Sequence, residues 1–326
     1  MNFRTYEDLA HIISNNLHKI PNDVDLVVGV PKSGLMAASM ISLYLNLPLT
    51  DIDSLAEDKI FTSGISKQRN NWISSPAEAR KILVVDDSSS TGLTFNQTKE
   101  KILKSKYSDK IVFLVVFVTD QTKELPDMYF DICPQPRMFE WNYMHHGLLE
   151  NACVDIDGVL CRDPSNDEND DGEKYIDFIS NVKPRVIPTR KIGYLVTTRL
   201  EKYRKYTEDW LKKNNIEYGE LIMLDLPSKE ERLRLGNHGL FKGENYKKLN
   251  NTCIFIESDE RQASVIANVS GKNVYCVDNG KLFKPKYDGI FEHKDNIVSR
   301  DSKFKTFRRK IIPLKIRVFL KKILDK

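Results

Sequence analysis

The sequence predicts an α/β protein with two parallel-sheet domains in series. Short apolar runs alternate with helix-spaced amphipathic stretches, two of the runs end in paired acids, and the series of strands starts afresh near residue 150. Apolar runs without polar alternation suit strands buried on both faces, and helices between them suit parallel connections. A chain of 326 residues also exceeds one typical domain of ~100–200 residues. We assign residues 1–148 to a first domain, 149–298 to a second with a small cap, and 299–326 to a tail.

In the first half, LVVGV (26–30) reads as a strand, GLMAASMISLYLN (34–46) as a helix and LPLTDID (47–53) as a strand. A polar stretch without apolar period covers 54–75. KILVVDD (81–87) is a strand, TFNQTKEKILKS (94–105) a helix and KIVFLVVFVTD (110–120) a buried strand. After a short Pro-containing region the pattern restarts. ACVDIDGVL (152–160) and KIGYLVTTR (191–199) are strands, EKYRKYTEDWLKKNN (201–215) is a helix, and ELIMLDL (220–226) and TCIFIESD (252–259) are strands. No Gly/Ser linker separates the halves, so they are expected to pack closely.

Composition narrows the class. Hydrophobic residues make 40% and charged residues 29% of the chain, as in globular proteins. No run of about 18 uncharged apolar residues would span a bilayer, and the start MNFRTYEDLAHII is not a secretory signal. The five cysteines are odd in number and form no CxxC, which suits a reducing cytosol. The net charge of +4 hides a division: residues 300–326 hold 11 Lys/Arg against 2 Asp/Glu, leaving 39 basic and 44 acidic residues elsewhere. The body is mildly acidic and the basicity sits in the tail. That balance, without a reading motif, speaks against nucleic acid as a partner.

The most informative stretch is ILVVDDSSSTGLT (82–94). A parallel sheet places its chemistry at the carboxyl ends of its strands. Asp86 and Asp87 stand at such an end. Ser88, Ser89, Ser90, Thr91, Gly92 and Thr94 then lead into a helix, where amides and hydroxyls converge into a phosphate cradle. Carboxylates would repel phosphate but accept hydrogen bonds from a sugar diol. The site therefore reads as one for a sugar phosphate.

This stretch resembles the 13-residue phosphoribosyl pyrophosphate (PRPP) signature of type I phosphoribosyltransferases. The resemblance implies that fold, PRPP as donor and Mg²⁺ as its counterion. VVGVPKSG (27–34) is similar to the family's pyrophosphate loop, with Lys32, Ser33 and Gly34 as binding residues. Gly29 and Gly34 have Walker A spacing, but Leu35 and Met36 follow, so a triphosphatase loop is excluded. The polar stretch with Lys59, Lys67 and Arg69 corresponds to the family's mobile loop, which closes over the leaving pyrophosphate. The implied chemistry is displacement at ribose C1 through an oxocarbenium-like transition state, with Mg²⁺ on the leaving group.

A second site begins at Asp155-Ile156-Asp157-Gly158. Acids at i and i+2 of a strand end share a side, so Asp155 is placed to attack phosphorus and Asp157 to handle the leaving-group proton. The motif resembles the DxDG signature of haloacid dehalogenase (HAD) phosphatases. That resemblance, covering roughly 150–280, implies partners in Thr197 of YLVTTR and a lysine, for which Lys242 is chosen over Lys229 and Lys247. It also implies late acids Glu257 and Asp259, joining Asp155 and Asp157 around Mg²⁺. The acidic run DPSNDENDDGE misses EF-hand spacing and reads as a solvated cap insertion.

Trp141 and Tyr143 in MFEWNY are candidate acceptor-stacking residues, with aromatic packing between domains as the other reading. His145 and His146 lack a third ligand at metal spacing and read as a surface pair. In the tail, Ile316, Phe319, Leu320, Ile323 and Leu324 form one helical face opposite Lys315, Arg317, Lys321 and Lys322. Such a basic amphipathic helix suits an anionic membrane surface, or a docked partner.

The chain as a whole resembles bacterial ribofuranosyltransferase–phosphatase modules of capsule and O-antigen synthesis. The implied activity is transfer of 5-phosphoribosyl from PRPP to a glycan acceptor, lipid-linked at the inner face of the cytoplasmic membrane, followed by removal of the 5-phosphate. The alternatives are a nucleobase phosphoribosyltransferase fused to a nucleotide phosphatase, and a PRPP-sensing regulator.

Overall fold

In the computed structural model, residues 1–61 and 72–286 are described. The chain opens with β1 (Asn2–Arg4), α1 (Tyr6–Asn16), β2 (Val24–Gly29), α2 (Ser33–Leu45), β3 (Leu49–Asp51) and α3 (Ile52–Ala56). It continues with β4 (Lys81–Ser88), α4 (Leu93–Leu103), β5 (Ile111–Val118), β6 (Met128–Ile132) and β7 (Arg137–Phe139). Five strands form a parallel sheet in the order β3-β2-β4-β5-β6.

The apolar runs behave as sheet geometry requires. Leu83 and Val85 of β4 enter the cluster that holds Leu9 and Ile13 of α1 and Ala37 and Ile41 of α2. Ile82 and Val84 point the other way, into the cluster with Phe95 and Ile102 of α4. Successive side chains leave a strand on opposite faces, so a strand covered on both sides must be apolar throughout.

The second series is β8 (Ala152–Val154), α5 (Glu173–Asn181), β9 (Ile192–Leu200), α6 (Arg204–Lys213), β10 (Tyr218–Leu224), α7 (Lys229–Leu235), α8 (His238–Lys248), β11 (Ile254–Glu257), α9 (Glu260–Ser270), β12 (Val274–Cys276) and β13 (Lys281–Phe283). Their sheet runs β10-β9-β8-β11-β12-β13. It is parallel except at β12–β13, an antiparallel edge pair.

Close packing of the two halves has a specific origin. β1 pairs with β7, and Phe3, Met138, Met144 and Leu149 belong to the core of the second sheet. Phe3 meets Tyr275 at 4.7 Å between ring centroids. The Tyr275 hydroxyl donates to Glu140 Oε1 at 2.6 Å, whose Oε2 accepts the Tyr6 amide. Met1–Lys284 accordingly forms one compact unit.

Three sequence expectations change. LPLTDID is not all strand: Asp51 accepts the Ser54 amide at 2.7 Å, and this cap starts α3 at Ile52. The strand in ACVDIDGVL ends at Val154, because the amides of Val159, Leu160 and Cys161 all turn back to Ile156 O. β6 forms inside the Pro-containing region, against β5. The tail helix, like Lys67 and Arg69, lies outside the described residues.

Candidate functional site

The first site lies where β2 and β4, neighbours in the sheet, both end. Gly34 brings their loops together: a Cβ there would stand 2.8 Å from Asp86 Oδ1 and 2.9 Å from Asp86 Cα. Only a residue without a side chain fits. Lys32 is exposed, Ser33 opens α2, and the Pro31–Lys32 peptide is cis.

Asp87 is buried, and its amide donates to Asp86 Oδ1 at 2.9 Å. Burial first, and the Asp87 charge second, push the Asp86 carboxyl up to about 8. The pair is therefore poised to take up a proton, a cation or a hydroxyl donor. Trp141 Nε1 donates to Asp87 Oδ2 at 2.9 Å.

The cradle beyond is anchored from behind. Ser89 N donates to Phe117 O at 2.9 Å, Thr122 Oγ1 to Ser89 O at 3.1 Å, Thr119 Oγ1 to Ser90 O at 3.2 Å, and Gln135 Nε2 to Ser90 Oγ at 2.7 Å. These partners come from β5 and the two loops after it, and sequence reading missed them; only the fold makes them neighbours. Gly92 (φ +82°) is the N-cap of α4 and offers no capping side chain, and the helix end meets only a long contact, from the Leu93 amide to Thr91 Oγ1 at 3.5 Å. Free amides at such an end attract phosphate. Ser89 Oγ is buried without a hydrogen-bond partner among the described residues. Ser88 is partly buried, while Thr91 and Thr94 are exposed.

The second site forms at the carboxyl ends of β8, β9 and β11, which are adjacent in their sheet. Lys242 is almost fully buried on α8, and its Nζ donates to Asp155 Oδ2 at 2.6 Å, Glu257 Oε2 at 2.7 Å and Gln262 Oε1 at 2.9 Å. Of the three lysines weighed, this one meets the acids. It gets there because α8 lies close against α9: a Cβ on Gly243 would fall 2.8 Å from Val269 Cβ. Burial alone would lower the Lys242 ammonium, but Asp155 and Glu257 outweigh it and raise it. Burial pushes the Asp155 carboxyl upward, against the pull of Lys242.

Asp157 faces a different cation. Arg199, fully buried on β9, donates to it through Nη2 at 2.6 Å and Nε at 3.0 Å. The expectation that Asp155 and Asp157 share a strand face thus needs revision: β8 stops before both, and the turn aims each at its own partner. Arg199 stood beside Thr197 and Thr198 in the sequence but was given no role. Asp259 caps α9 by accepting the Gln262 amide at 2.8 Å.

A cavity of about 320 Å³ is lined by Asp155, Asp157, Thr197, Lys242, Glu257 and Asp259, among others. Five of its lining residues are Asp or Glu and two are Lys or Arg. A phosphate ester would meet net negative charge there, so the donor chemistry fits a hard divalent cation, which takes oxygen ligands. Among the described residues, as they stand, no three His, Cys, Asp or Glu side chains converge to hold an ion; Lys242 and Arg199 occupy the carboxylates instead.

The acidic insertion covers this cavity and is tied down by ordinary pairs. Arg162 meets Glu168 at 2.6 Å, Lys174 meets Asp167 at 2.6 Å, and Asp171 accepts from Lys202 at 2.8 Å and from the Lys229 amide at 3.0 Å. Trp141 stacks on Phe139 at 4.8 Å, whereas Tyr143 packs edge-on against Tyr275 at 5.4 Å. His146 caps a turn by accepting the Leu148 amide, and His145 pairs with Thr189. No described helix is long and apolar enough to cross a membrane.

Residues 3–150 match the family model for the phosphoribosyl transferase domain. Among solved structures, the chain is similar to a purine phosphoribosyltransferase from Pyrococcus horikoshii Ot3, with 20% identity over 43% of this chain and 92% of that one and a TM-score of 0.30. It is also similar to the Helicobacter pylori xanthine-guanine-hypoxanthine phosphoribosyltransferase, with 16% identity over 43% and 92% and a TM-score of 0.31. No curated protein matches the chain. The phosphoribosyl transferase domain model thus matches the stretch that holds the first sheet, the aspartate pair and the cradle.

Proposed function

We propose that the protein transfers 5-phosphoribosyl from PRPP to a glycan acceptor, then hydrolyses the 5-phosphate to leave ribofuranose in a bacterial surface polysaccharide. Support for the first step is the matched domain with Asp86 and Asp87 beside the Ser89–Thr91 cradle. The diol of the donor takes the aspartates and its 5-phosphate takes the cradle, while Lys32 and the β2 loop receive pyrophosphate. Trp141 and Tyr143 border the acceptor.

The observation that carries the second step is the buried Lys242 bridging Asp155 and Glu257 at 2.6 and 2.7 Å. Two buried carboxylates at the adjacent ends of β8 and β11, held by one lysine in a cavity that Thr197 also lines, suit phosphoryl transfer. Asp155 attacks phosphorus, the ester oxygen leaves with a proton supplied at Asp157, and water then cleaves the aspartyl phosphate to return Asp155 and release phosphate. Thr197 and Lys242 hold phosphoryl oxygens. Mg²⁺, when bound by Asp155 with Glu257 or Asp259, would offset the negative charge of ester and pocket. The net charge of +9 in residues 300–326 (11 basic, 2 acidic) supports holding the enzyme at the anionic inner face of the cytoplasmic membrane.

Mass spectrometry of products from PRPP, Mg²⁺ and a panel of synthetic acceptors tests this. Asp155→Asn is expected to accumulate a ribosylated product that keeps its phosphate. The same unphosphorylated product at wild-type rate would sink the phosphatase step. Pyrophosphate release with nucleobases and not with glycans would replace the glycan by a base.

A further inference from the structure

Arg232 is a cation on the wall of the second cavity that the mechanism above leaves idle. It sits within α7, keeps only 9% of its surface exposed, and lines the cavity. Its contacts are to neutral groups: Nη1 reaches Thr198 O at 3.2 Å, Nη2 reaches Asn169 Oδ1 at 3.4 Å, and the Tyr175 hydroxyl lies beside it. Its Nε is buried with no hydrogen-bond partner among the described residues.

A guanidinium held out of water with an idle donor is unfavourable until an anion completes it. Four of the cavity's five carboxylates are already engaged, Asp155 and Glu257 with Lys242, Asp157 with Arg199 and Asp259 with the start of α9, and the fifth, Asp163, forms no ion pair with Arg232. The anion must therefore come from outside. The planar fork of arginine matches the oxygens of a phosphate, and Thr198, whose carbonyl Arg232 touches, directly follows Thr197.

We propose that Arg232 binds the phosphoryl oxygens of the phosphate monoester entering this cavity. The inference rests on the phosphomonoesterase reading and adds a binding residue to Asp155, Asp157, Thr197 and Lys242.

The test is calorimetric titration of the full chain with inorganic phosphate in Mg²⁺ buffer. Wild type is expected to bind, Arg232→Gln to bind roughly tenfold or more weakly, and Arg232→Lys to fall between. Asn169→Ala, which loosens the insertion but spares the cation, should bind like wild type. PRPP binding at the first site reports whether each variant is folded; if Arg232→Gln fails that check, Arg232→Lys decides. Unchanged phosphate binding in the folded arginine variants overturns the inference and leaves the phosphatase reading standing. Equal loss in Asn169→Ala overturns it too, since packing would then explain the effect. Absence of phosphate binding by wild type overturns both.

Discussion

The indole N–H of Trp141 donates to Asp87 Oδ2 at 2.9 Å, joining the end of β4 to a loop 54 residues later. The ring is fixed by stacking on Phe139 at 15° between planes and on Phe117 at 28°. Trp141 thus orients the second aspartate through a rigid partner, and Asp87 keeps its other lone pairs for a ligand.

Trp141→Phe preserves the stack and removes the donor. A hydrogen bond to a charged group contributes about 1.5–3 kcal/mol, so PRPP affinity is expected to fall by roughly tenfold while the melting temperature changes little. Titration with PRPP and a thermal melt check both; unchanged affinity would show that Asp87 needs no orienting donor.

Asp86 gives the fold a pH dependence. Its carboxyl is raised from 3.8 to about 8, by burial first and then by Asp87. Between those values the folded state binds more protons than the unfolded chain, so stability falls as pH rises. The contribution is complete below pH ~4 and is lost by about pH 8. Asp86→Asn should remove this slope and stabilise the protein most at alkaline pH. Melts across pH 4 to 9 read it, and parallel curves for the two proteins would refute the account.

Gly34→Ala places a Cβ against Asp86 and Val85 O at 2.8 to 2.9 Å. Backbone must move to admit it, which costs about 1–3 kcal/mol and separates the two loops that a donor would bridge. Expected are lower stability in denaturant melts and a larger loss of PRPP binding than Trp141→Phe causes. Wild-type behaviour in both would mean the loops have slack.

Lys242→Met strands Asp155 and Glu257 in the interior. Removing one partner of a buried pair costs about 3–5 kcal/mol. Adding Glu257→Gln should recover part of that stability without restoring phosphate hydrolysis. Denaturant midpoints of the single and double variants measure the coupling; simple additivity would refute the shared buried network.

Much of the fold was legible because it rests on local pattern. The run Ile82–Val85 can be buried on both sides only in a covered parallel sheet, and acids directly after such a run must sit at its carboxyl edge. β6 was not legible, since Pro and turn residues surround it and its pairing with β5 is non-local. α8 escaped notice because three of the four residues on its buried face, Gly239, Lys242 and Gly243, carry no apolar signal, and Tyr246 alone does not make a period.

The sequence by itself determined the two parallel series, the edge positions of Asp86, Asp87 and Asp155, and the small-residue cradle. Spacing along one strand or turn suffices for these. Only the tertiary structure decided which cation meets which acid: Lys242 with Asp155 and Glu257, Arg199 with Asp157, Trp141 with Asp87. Those partners lie 15 to 87 residues apart, and hydrogen bonds of 2.6 to 3 Å depend on how strands are ordered and helices packed, which no local periodicity encodes.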